Sequence, residues 1–220
     1  MELQADTLPP PLVCVIDDDA EILISIDSLL RSEGYAARTF RSPRDFIACD
    51  AAEAASCLIL DVQLEGADGL DFQQELLRRN LRVPVILMTG HGDIPMTVRG
   101  MKAGAVNFLS KPSSADKILG AVSEAVELDR QRRAESEQDA SIRSLYNSLS
   151  PREREVMGLV TAGLLNKQIA GRINLREITV KIHRGSMMRK MGAQSLADLV
   201  RMAEALGARQ TSASRFASRS

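Results

Sequence analysis

The 220-residue sequence lacks any apolar run of 18 residues, and its N-terminus lacks the basic-then-apolar pattern of a secretory signal. The first absence argues against a membrane-spanning helix, and the second argues against export. We therefore expect a cytoplasmic protein with no membrane partner. Cysteine is also scarce, because only Cys14, Cys49 and Cys57 occur, without the spacing of metal ligands. We expect all three to be buried thiols in a reducing compartment.

The charge of the chain is distributed unevenly between its two parts. Charged residues make up 26% and hydrophobic residues 45% of the sequence, so the chain can bury a core and is not disordered overall. The net charge is only −1, but residues 150–220 hold 13 Lys/Arg against 5 Asp/Glu, whereas residues 1–149 hold 15 against 24. This asymmetry indicates two modules with different partners, and an anionic polymer is the expected partner of the second.

Strand and helix patterns alternate five times within the first 120 residues. Short apolar runs such as Leu12–Ile16 and Cys57–Leu60 are typical of strands buried on both faces, and helical patterns separate them. This alternation predicts an α/β fold with a doubly wound, five-stranded parallel sheet. We assign residues 12–128 to this domain, after a flexible N-terminus at 1–11. The last helix is expected to run from Ser113 towards Arg133.

A small all-α domain is predicted after a polar linker, residues 129–147. Ser150-Pro-Arg-Glu153 is a capping box with proline at the first helical position, which marks a helix start. Short helices joined by tight turns, together with the excess positive charge, suggest a helix-turn-helix. The domain should cover residues 148–208 and precede a disordered tail at 209–220, with four helices near 151–162, 166–173, 176–191 and 195–206.

Several polar side chains stand where strands of the first domain end. If the sheet is wound as predicted, its carboxyl edge brings together five of them, namely Asp17, Asp18, Asp61, Thr89 and Lys111. Crowded carboxylates repel each other, and Mg²⁺ would relieve this by taking oxygen ligands from Asp18, Asp61 and the backbone carbonyl of Gln63. Lys111 and Thr89 suit phosphoryl oxygens, and an Asp carboxylate can form an aspartyl-phosphate. Alternatively, each residue alone would be an ordinary cap, loop hydroxyl or surface charge.

The third helix of the second domain has a core side and an outer side. At 100° per residue, Val180, Met187 and Met191 fall together, and the opposite side carries Lys181, Ile182, Gly185, Ser186 and Arg189. Such a surface can enter the major groove of DNA, where cations meet guanine acceptors and an aliphatic group meets a thymine methyl. A solvated face is the alternative, because charged outward faces are common.

The polar set of the first domain resembles the signature of response-regulator receiver domains. Asp17-Asp18, Asp61, Thr89 and Phe108-Leu-Ser-Lys-Pro112 stand at its positions, and residues 88–96 are similar to the NarL/FixJ branch. The resemblance implies a flavodoxin-like receiver whose Asp61 takes phosphoryl from a sensor histidine kinase. It also implies that Asp17 and Asp18 hold Mg²⁺, that Thr89 and Lys111 grip the phosphoryl group, and that Phe108 changes rotamer when Thr89 moves.

The second domain resembles LuxR-type DNA-binding domains over residues 147–208. The similarity lies in residues 149–156, 166–170 and 179–183. It implies that helix 166–173 lies over the DNA backbone and that helix 176–191 reads bases, with Lys181 and Ile182 at base-facing positions. Lys167 and Thr179 are further candidate contacts. Gly185 departs from the family's usual longer side chain.

These observations together predict a transcriptional response regulator that is not an enzyme beyond its own Mg²⁺-dependent phosphorylation. The expected partners are a sensor histidine kinase, double-stranded DNA and a second copy of the chain on phosphorylation, with RNA polymerase as a further candidate. One rival is an aspartyl-phosphate phosphohydrolase, but that class needs an acid where this sequence has Gln63. A second rival is a phosphate sink whose basic domain binds protein.

Overall fold

The computed structural model describes residues 9–90 and 94–207. The predicted disordered tail at 209–220 and most of the predicted flexible N-terminus lie outside the described residues. The chain divides into two compact units, with the boundary between Arg133 and Ala134. Within the described residues, no helix combines the length and the apolar character that a membrane crossing requires.

A five-stranded parallel sheet forms the centre of the first unit, as the alternation of patterns predicted. Its strands in spatial order are β2, β1, β3, β6 and β7. Strands β1 and β3 are adjacent in the sheet but separated by β2 in the sequence, and the strand order reverses between them. Open α/β sheets bind ligands at such a point. The strand bounds are β1 Leu12–Ile16, β2 Ala36–Phe40, β3 Cys57–Asp61, β6 Val85–Thr89 and β7 Asn107–Ser110.

Both faces of the sheet are covered, so the central strands β3 and β6 are buried at every position and apolar up to their last residue. In β3 all five residues are buried. Leu58 and Leu60 belong to the core on one face, whereas Cys57 and Ile59 belong to the core on the other. Successive side chains of a strand point to opposite faces of the sheet, and both faces are buried here. The strand therefore appears in the sequence as a continuous apolar run and not as an alternation of apolar and polar residues.

The helices of the first unit begin where the sequence has capping residues. The Asp19 side chain accepts hydrogen bonds from the first turn of α1, and Ser42 and Asp68 cap α2 and α4 in the same way. Two short features were not predicted, namely helix α3 and the hairpin of β4 and β5. The bounds are α1 Ala20–Ser32, α2 Pro43–Ile47, α3 Ala51–Ala54, β4 Gln63–Leu64, β5 Ala67–Asp68, α4 Gly69–Arg78 and α5 Ile94–Lys102.

Helix α6 spans Ala115–Asn147, so the prediction that it ends near Arg133 was wrong. Residues 134–141, inside the expected linker, are helical, and all of them are exposed. They include no glycine or proline and are mostly Ala, Glu, Gln and Ser, which a helix accepts at little cost. A helix that is polar all round has no apolar stripe. Reasoning from apolar periodicity therefore missed it.

After the last part of α6, the described residues of the second unit form the four predicted helices: α7 Pro151–Thr161, α8 Asn166–Arg172, α9 Glu177–Met191 and α10 Leu196–Ala205. Ser150 and Glu153 form the predicted capping box at the start of α7. The core collects the apolar sides of these helices, and Val156, Val180 and Met187 are completely buried in it. Helix α9 packs its predicted core side inward, so the opposite side is available to solvent.

Candidate functional site

The carboxyl edge of the sheet gathers the polar residues that the strand pattern singled out. Asp61 and Thr89 are the last residues of β3 and β6, and Asp17 and Lys111 directly follow β1 and β7. Because β1, β3, β6 and β7 are consecutive neighbours in a parallel sheet, these four residues leave the sheet at the same edge. The fold thus brings together residues that are up to 94 positions apart in the chain.

A lysine joins the two most buried carboxylates of this edge. Lys111 Nζ lies 2.8 Å from Asp61 Oδ2 and also forms an ion pair with Asp17 Oδ2. The two aspartates are only 5% and 2% exposed. A buried charge without a partner is strongly unfavourable, so the lysine is the group that allows both carboxylates to remain in this place.

The pKa values at this site follow from burial and from these ion pairs. Burial raises the pKa of Asp17, and the hydrogen bond from Lys111 offsets only part of that rise. Burial acts in the opposite direction on Lys111, but its hydrogen bonds to Asp17 and Asp61 prevail, and its pKa is raised. Negative charge is therefore in excess at the site, and another cation would stabilise it.

Backbone amides and one arginine orient the carboxylates further. The amide of Glu65, at the turn of the β4–β5 hairpin, donates to Asp18 Oδ2 at 3.0 Å. The amide of Gln63 donates to Asp61 Oδ1 at 3.1 Å. Arg41 Nη2 donates to the backbone carbonyl of Asp18 at 3.1 Å. Sequence reasoning missed Glu65 and Arg41, because neither contact leaves a periodic or motif-like signal.

The carboxylate set has the geometry of a site for a hard divalent cation. One oxygen from each of Asp17, Asp18 and Asp61 lies within 4.8 Å of the others. Mg²⁺ binds oxygen at about 2.0–2.1 Å and usually keeps water and one or two carboxylates, so this spacing is close to what one ion requires. The three residues therefore fit Mg²⁺, and the excess negative charge at the site favours its binding.

Thr89 and Phe108 lie on the neighbouring strands of the same unit. Thr89 is completely buried, and its backbone carbonyl accepts the Lys111 amide at 2.7 Å. Phe108 is half-buried on β7 and packs against the core cluster on one face of the sheet. A side chain at Gly100 of α5 would approach the Phe108 ring to 3.7 Å. The aromatic ring thus lies between the sheet edge and helix α5.

Gly69 is a functional candidate that sequence reasoning did not single out. It opens α4, and its amide donates to the Val62 carbonyl at 2.9 Å. A Cβ placed on it would lie 2.2 Å from the backbone carbonyl oxygen of Asp61. The first residue of α4 therefore packs directly against the strand end that carries Asp61. Only glycine permits this approach.

The second unit presents most of the predicted DNA contacts on its surface. Lys167 on α8 is exposed, and so are Lys181, Ile182, Gly185 and Arg189 on α9. Thr179 is half-buried. Arg184 of α9 donates to the Asn166 side chain of α8 at 3.1 Å, which links the two helices of the helix-turn-helix.

Ser186 does not lie on the outer side of α9 with the other predicted contacts. It is half-buried, and its hydroxyl hydrogen-bonds to Glu153 at the start of α7. Glu153 also accepts from Lys190 Nζ and from the Ser150 amide, each at 2.7 Å. The helix angles predicted Ser186 on the outer side, and the structure differs because the hydroxyl turns towards the buried carboxylate of Glu153. Ile178, which is 62% exposed, was missed and does lie on the outer side.

Comparisons with known proteins find the same two modules in the same order. Residues 13–123 match the response regulator receiver domain, and residues 147–203 match the bacterial regulatory proteins of the luxR family. Nodulation protein W of Bradyrhizobium diazoefficiens is 52% identical over 196 residues, which cover 89% of this chain and 86% of that protein. The transcriptional regulatory protein FixJ of the same organism is 37% identical, with coverage of 89% and 95%.

Solved structures show the same similarity in three dimensions. The low-resolution structure of the response regulator StyR is 40% identical in sequence and superposes with a TM-score of 0.80. The match covers 89% of this chain and 98% of that structure. Similarity on this scale extends over both modules and not over one domain alone.

Proposed function

Because the chain belongs to the two-component response regulators of the NarL/FixJ family, we propose that Asp61 is the phosphoacceptor of a phosphorylation-dependent transcriptional regulator. The chain is a transcriptional regulator with a receiver domain and a helix-turn-helix DNA-binding domain. The observation that carries the proposal is the Lys111 ion pair with Asp17 and Asp61, beside Asp18. It supplies an acceptor carboxylate, a point charge and a cation site at one edge of the sheet.

The chemical step transfers a phosphoryl group from a sensor histidine kinase. The P–N bond to the kinase histidine breaks, and a P–O bond to an Asp61 carboxylate oxygen forms. Asp17, Asp18, Asp61 and the backbone carbonyl of Gln63 would hold Mg²⁺. The bound ion would neutralise charge on the phosphoryl oxygens, which is the main requirement of such transfers.

The remaining residues of the edge would respond to the new group. A phosphoryl group brings a charge of about −1.5 to −2 and three acceptor oxygens. Lys111 is already 2.8 Å from Asp61 Oδ2, so its ammonium can bind one of those oxygens with little movement. The Thr89 hydroxyl would bind another. Phe108 would then change rotamer, because it packs between the sheet and α5.

Phosphorylation would favour a homodimer, and the surface of α5 supports this part of the proposal. Ile94, Val98 and Met101 of that helix are large apolar residues that are 80%, 45% and 45% exposed. Exposed apolar residues that cluster on one helix are typical of protein–protein contacts. A dimer would place two recognition helices about 34 Å apart along one side of the duplex.

In the second domain, helix α9 would enter the major groove and α8 would lie over the backbone. Lys181, Ile182, Gly185 and Arg189 would face the base edges. Lys167 and Thr179 would contact phosphates. Ser186 is assigned to the packing of α9 on α7 instead, because its hydroxyl is bonded to Glu153.

The test of the phosphoacceptor compares Asp61→Asn with Asp68→Asn. Acetyl phosphate and Mg²⁺ should label the wild type, and Asp61→Asn should abolish the label. Asp68 is an exposed helix cap seven residues away, and asparagine caps helices equally well, so Asp68→Asn should retain the label. Labelling of Asp61→Asn, measured by intact mass, would defeat the assignment.

The test of DNA binding uses Lys181→Ala. This variant should bind operator DNA more weakly in a gel-shift titration while its phosphorylation is unchanged, because the exposed Lys181 side chain belongs to the second unit. Wild-type binding should also weaken as salt rises, since phosphate contacts release counterions. An affinity that is unchanged in Lys181→Ala would place the groove contact elsewhere.

A further inference from the structure

The outer side of α9 is apolar at its centre, although the domain is basic. Ile178 and Ile182 are 62% and 63% exposed, and Gly185 is exposed one turn further on. At 100° per residue these three positions fall within 60° of one another, opposite the buried Val180 and Met187. The helix therefore presents a stripe of two branched aliphatic side chains followed by a residue without a side chain, whose carbonyl the Arg189 Nε approaches at 3.5 Å.

No contact within the described part of the chain requires glycine at position 185. Its φ is not in the left-handed region, where only a few described residues lie. A Cβ built on it would meet no heavy atom within 4 Å. Glycine inside a helix destabilises it relative to alanine, so this residue costs stability without any gain in packing. A partner whose atoms approach the helix backbone would supply a reason for glycine at this position.

The charges around the stripe indicate the chemistry of that partner. Two cations of α9 are used inside the domain, since Arg184 bonds to Asn166 and Lys190 bonds to Glu153. Of the other cations of α9, Lys181 lies beside the stripe and Arg189 continues it one turn after Gly185, and both are exposed. A partner that meets this surface must offer apolar groups along the two isoleucines and negative charge beside and beyond them.

The major groove of DNA has both properties, because phosphates border it and the C5-methyl groups of thymines project into it. An acidic protein surface could satisfy the charges but would not require backbone approach at a single exposed glycine. The major groove is wide enough to admit an α-helix, and a residue without a side chain on the nearest side of the helix lets its backbone come closer to the base edges. The absence of a side chain at position 185 is therefore consistent with a helix that lies deep in the groove.

We propose that Ile178, Ile182 and Gly185 form a thymine-methyl-reading surface, in which Gly185 lets α9 approach closely enough for both isoleucines to contact methyl groups. This inference rests on the proposed DNA binding and deepens it. It states that the operator half-site contains thymines at two positions, one for each isoleucine. It also makes Gly185 a positioning residue, which acts by leaving space and not by contact of its own side chain.

Substitution of thymine by deoxyuridine tests the inference, because it removes only the methyl group. Sites bound by the full-length chain are selected from random duplex DNA, with and without acetyl phosphate and Mg²⁺. Each thymine of the selected site is then replaced in turn. Loss of one buried methyl should weaken wild-type binding about fourfold. At one of these positions, replacing thymine by deoxyuridine should not change the affinity of Ile182→Ala. At another, it should not change the affinity of Ile178→Ala.

Gly185→Ala provides a second measurement that a purely structural role would not explain. In the full-length chain, Gly185→Ala should raise the temperature at which the DNA-binding domain unfolds. It should also weaken binding to the selected site at least tenfold. Gly120→Ala is the matched control, because Gly120 is also an exposed helical glycine with no atom near its Cβ position. That control should stabilise the receiver transition and leave DNA affinity unchanged.

The outcomes separate this inference from the function on which it rests. If no duplex is enriched over random DNA, the proposed DNA binding itself fails. If a site is enriched but every deoxyuridine substitution leaves wild-type affinity unchanged, only the methyl-reading surface is overturned. Unchanged affinity of Gly185→Ala would also overturn it, and so would an Ile182→Ala variant that alters the oligomeric state and not the DNA affinity.

Discussion

Replacing Gly69 by alanine should displace the end of β3, the strand that carries the proposed phosphoacceptor Asp61. The added Cβ would lie 2.2 Å from the Asp61 carbonyl oxygen, 2.9 Å from Val62 Cα and 3.0 Å from the Asp61 carbonyl carbon. All three atoms belong to the backbone of the segment that carries Asp61. None of them can rotate away as the end of a side chain can, so either α4 or the end of β3 has to move.

The size of the effect follows from this overlap. An ordinary contact begins at 3.4 Å, so the two backbones must separate by about 1 Å. Overpacking of this kind costs about 1–3 kcal/mol, and the upper part of that range applies because the obstacle is backbone. For a domain of this size, about 3 kcal/mol corresponds to a lower unfolding midpoint by roughly 10 °C. A displacement near 1 Å should also slow phosphorylation on the order of 10–100-fold.

Two measurements on the full-length chain check this prediction. Calorimetry should show the receiver transition at lower temperature in Gly69→Ala, and the rate of labelling by acetyl phosphate should fall. Gly120→Ala makes the same chemical change where the Cβ position is free, so it should raise the receiver midpoint and leave labelling unchanged. If Gly69→Ala unfolded no earlier than the wild type, the close approach of α4 to β3 would be refuted.

The strand ends of the receiver could be predicted because burial on two faces leaves a plain signal. The runs at β1 and β3 are apolar at every position, and each stops at an aspartate. Parallel winding then fixes which residues share an edge, so the meeting of Asp17, Asp61 and Lys111 follows from the order of elements alone. Periodicity needs no knowledge of side-chain contacts to make this prediction.

Three features could not be predicted from the sequence. Two depend on contacts between residues that are distant in the chain, and one depends on a segment that buries no side chain. The Glu65 amide reaches Asp18 across 47 positions, and any residue except proline could supply that amide. The exposed part of α6 buries nothing, so no apolar period marks it. Ser186 is directed by Glu153, 33 positions earlier, whereas helix geometry alone predicted it on the outer side.

Two further substitutions test buried polar groups in each unit. Gln73 is 2% exposed and donates to the backbone carbonyls of Gly100 and Ala103 at the end of α5. Gln73→Glu replaces this donor by a buried carboxylate, so it should destabilise the receiver by about 2–4 kcal/mol. Gln74 is exposed, so Gln74→Glu should leave the stability unchanged. In the second unit, the hydrogen bond from Lys190, followed by those from Ser186 and Ser150, lowers the pKa of Glu153 from 4.5 to about 2. A folded-state pKa below the unfolded one gives stability that is complete above pH 4.5 and is lost as the pH falls towards 2. At pH 7, Glu153→Gln should therefore lower the free energy of unfolding of the DNA-binding domain by about 1–2 kcal/mol relative to the wild type. This difference should be smaller at pH 3. Thermal unfolding at both pH values measures this, and a difference that stays constant between them would show that the carboxylate charge does not hold α7 and α9 together.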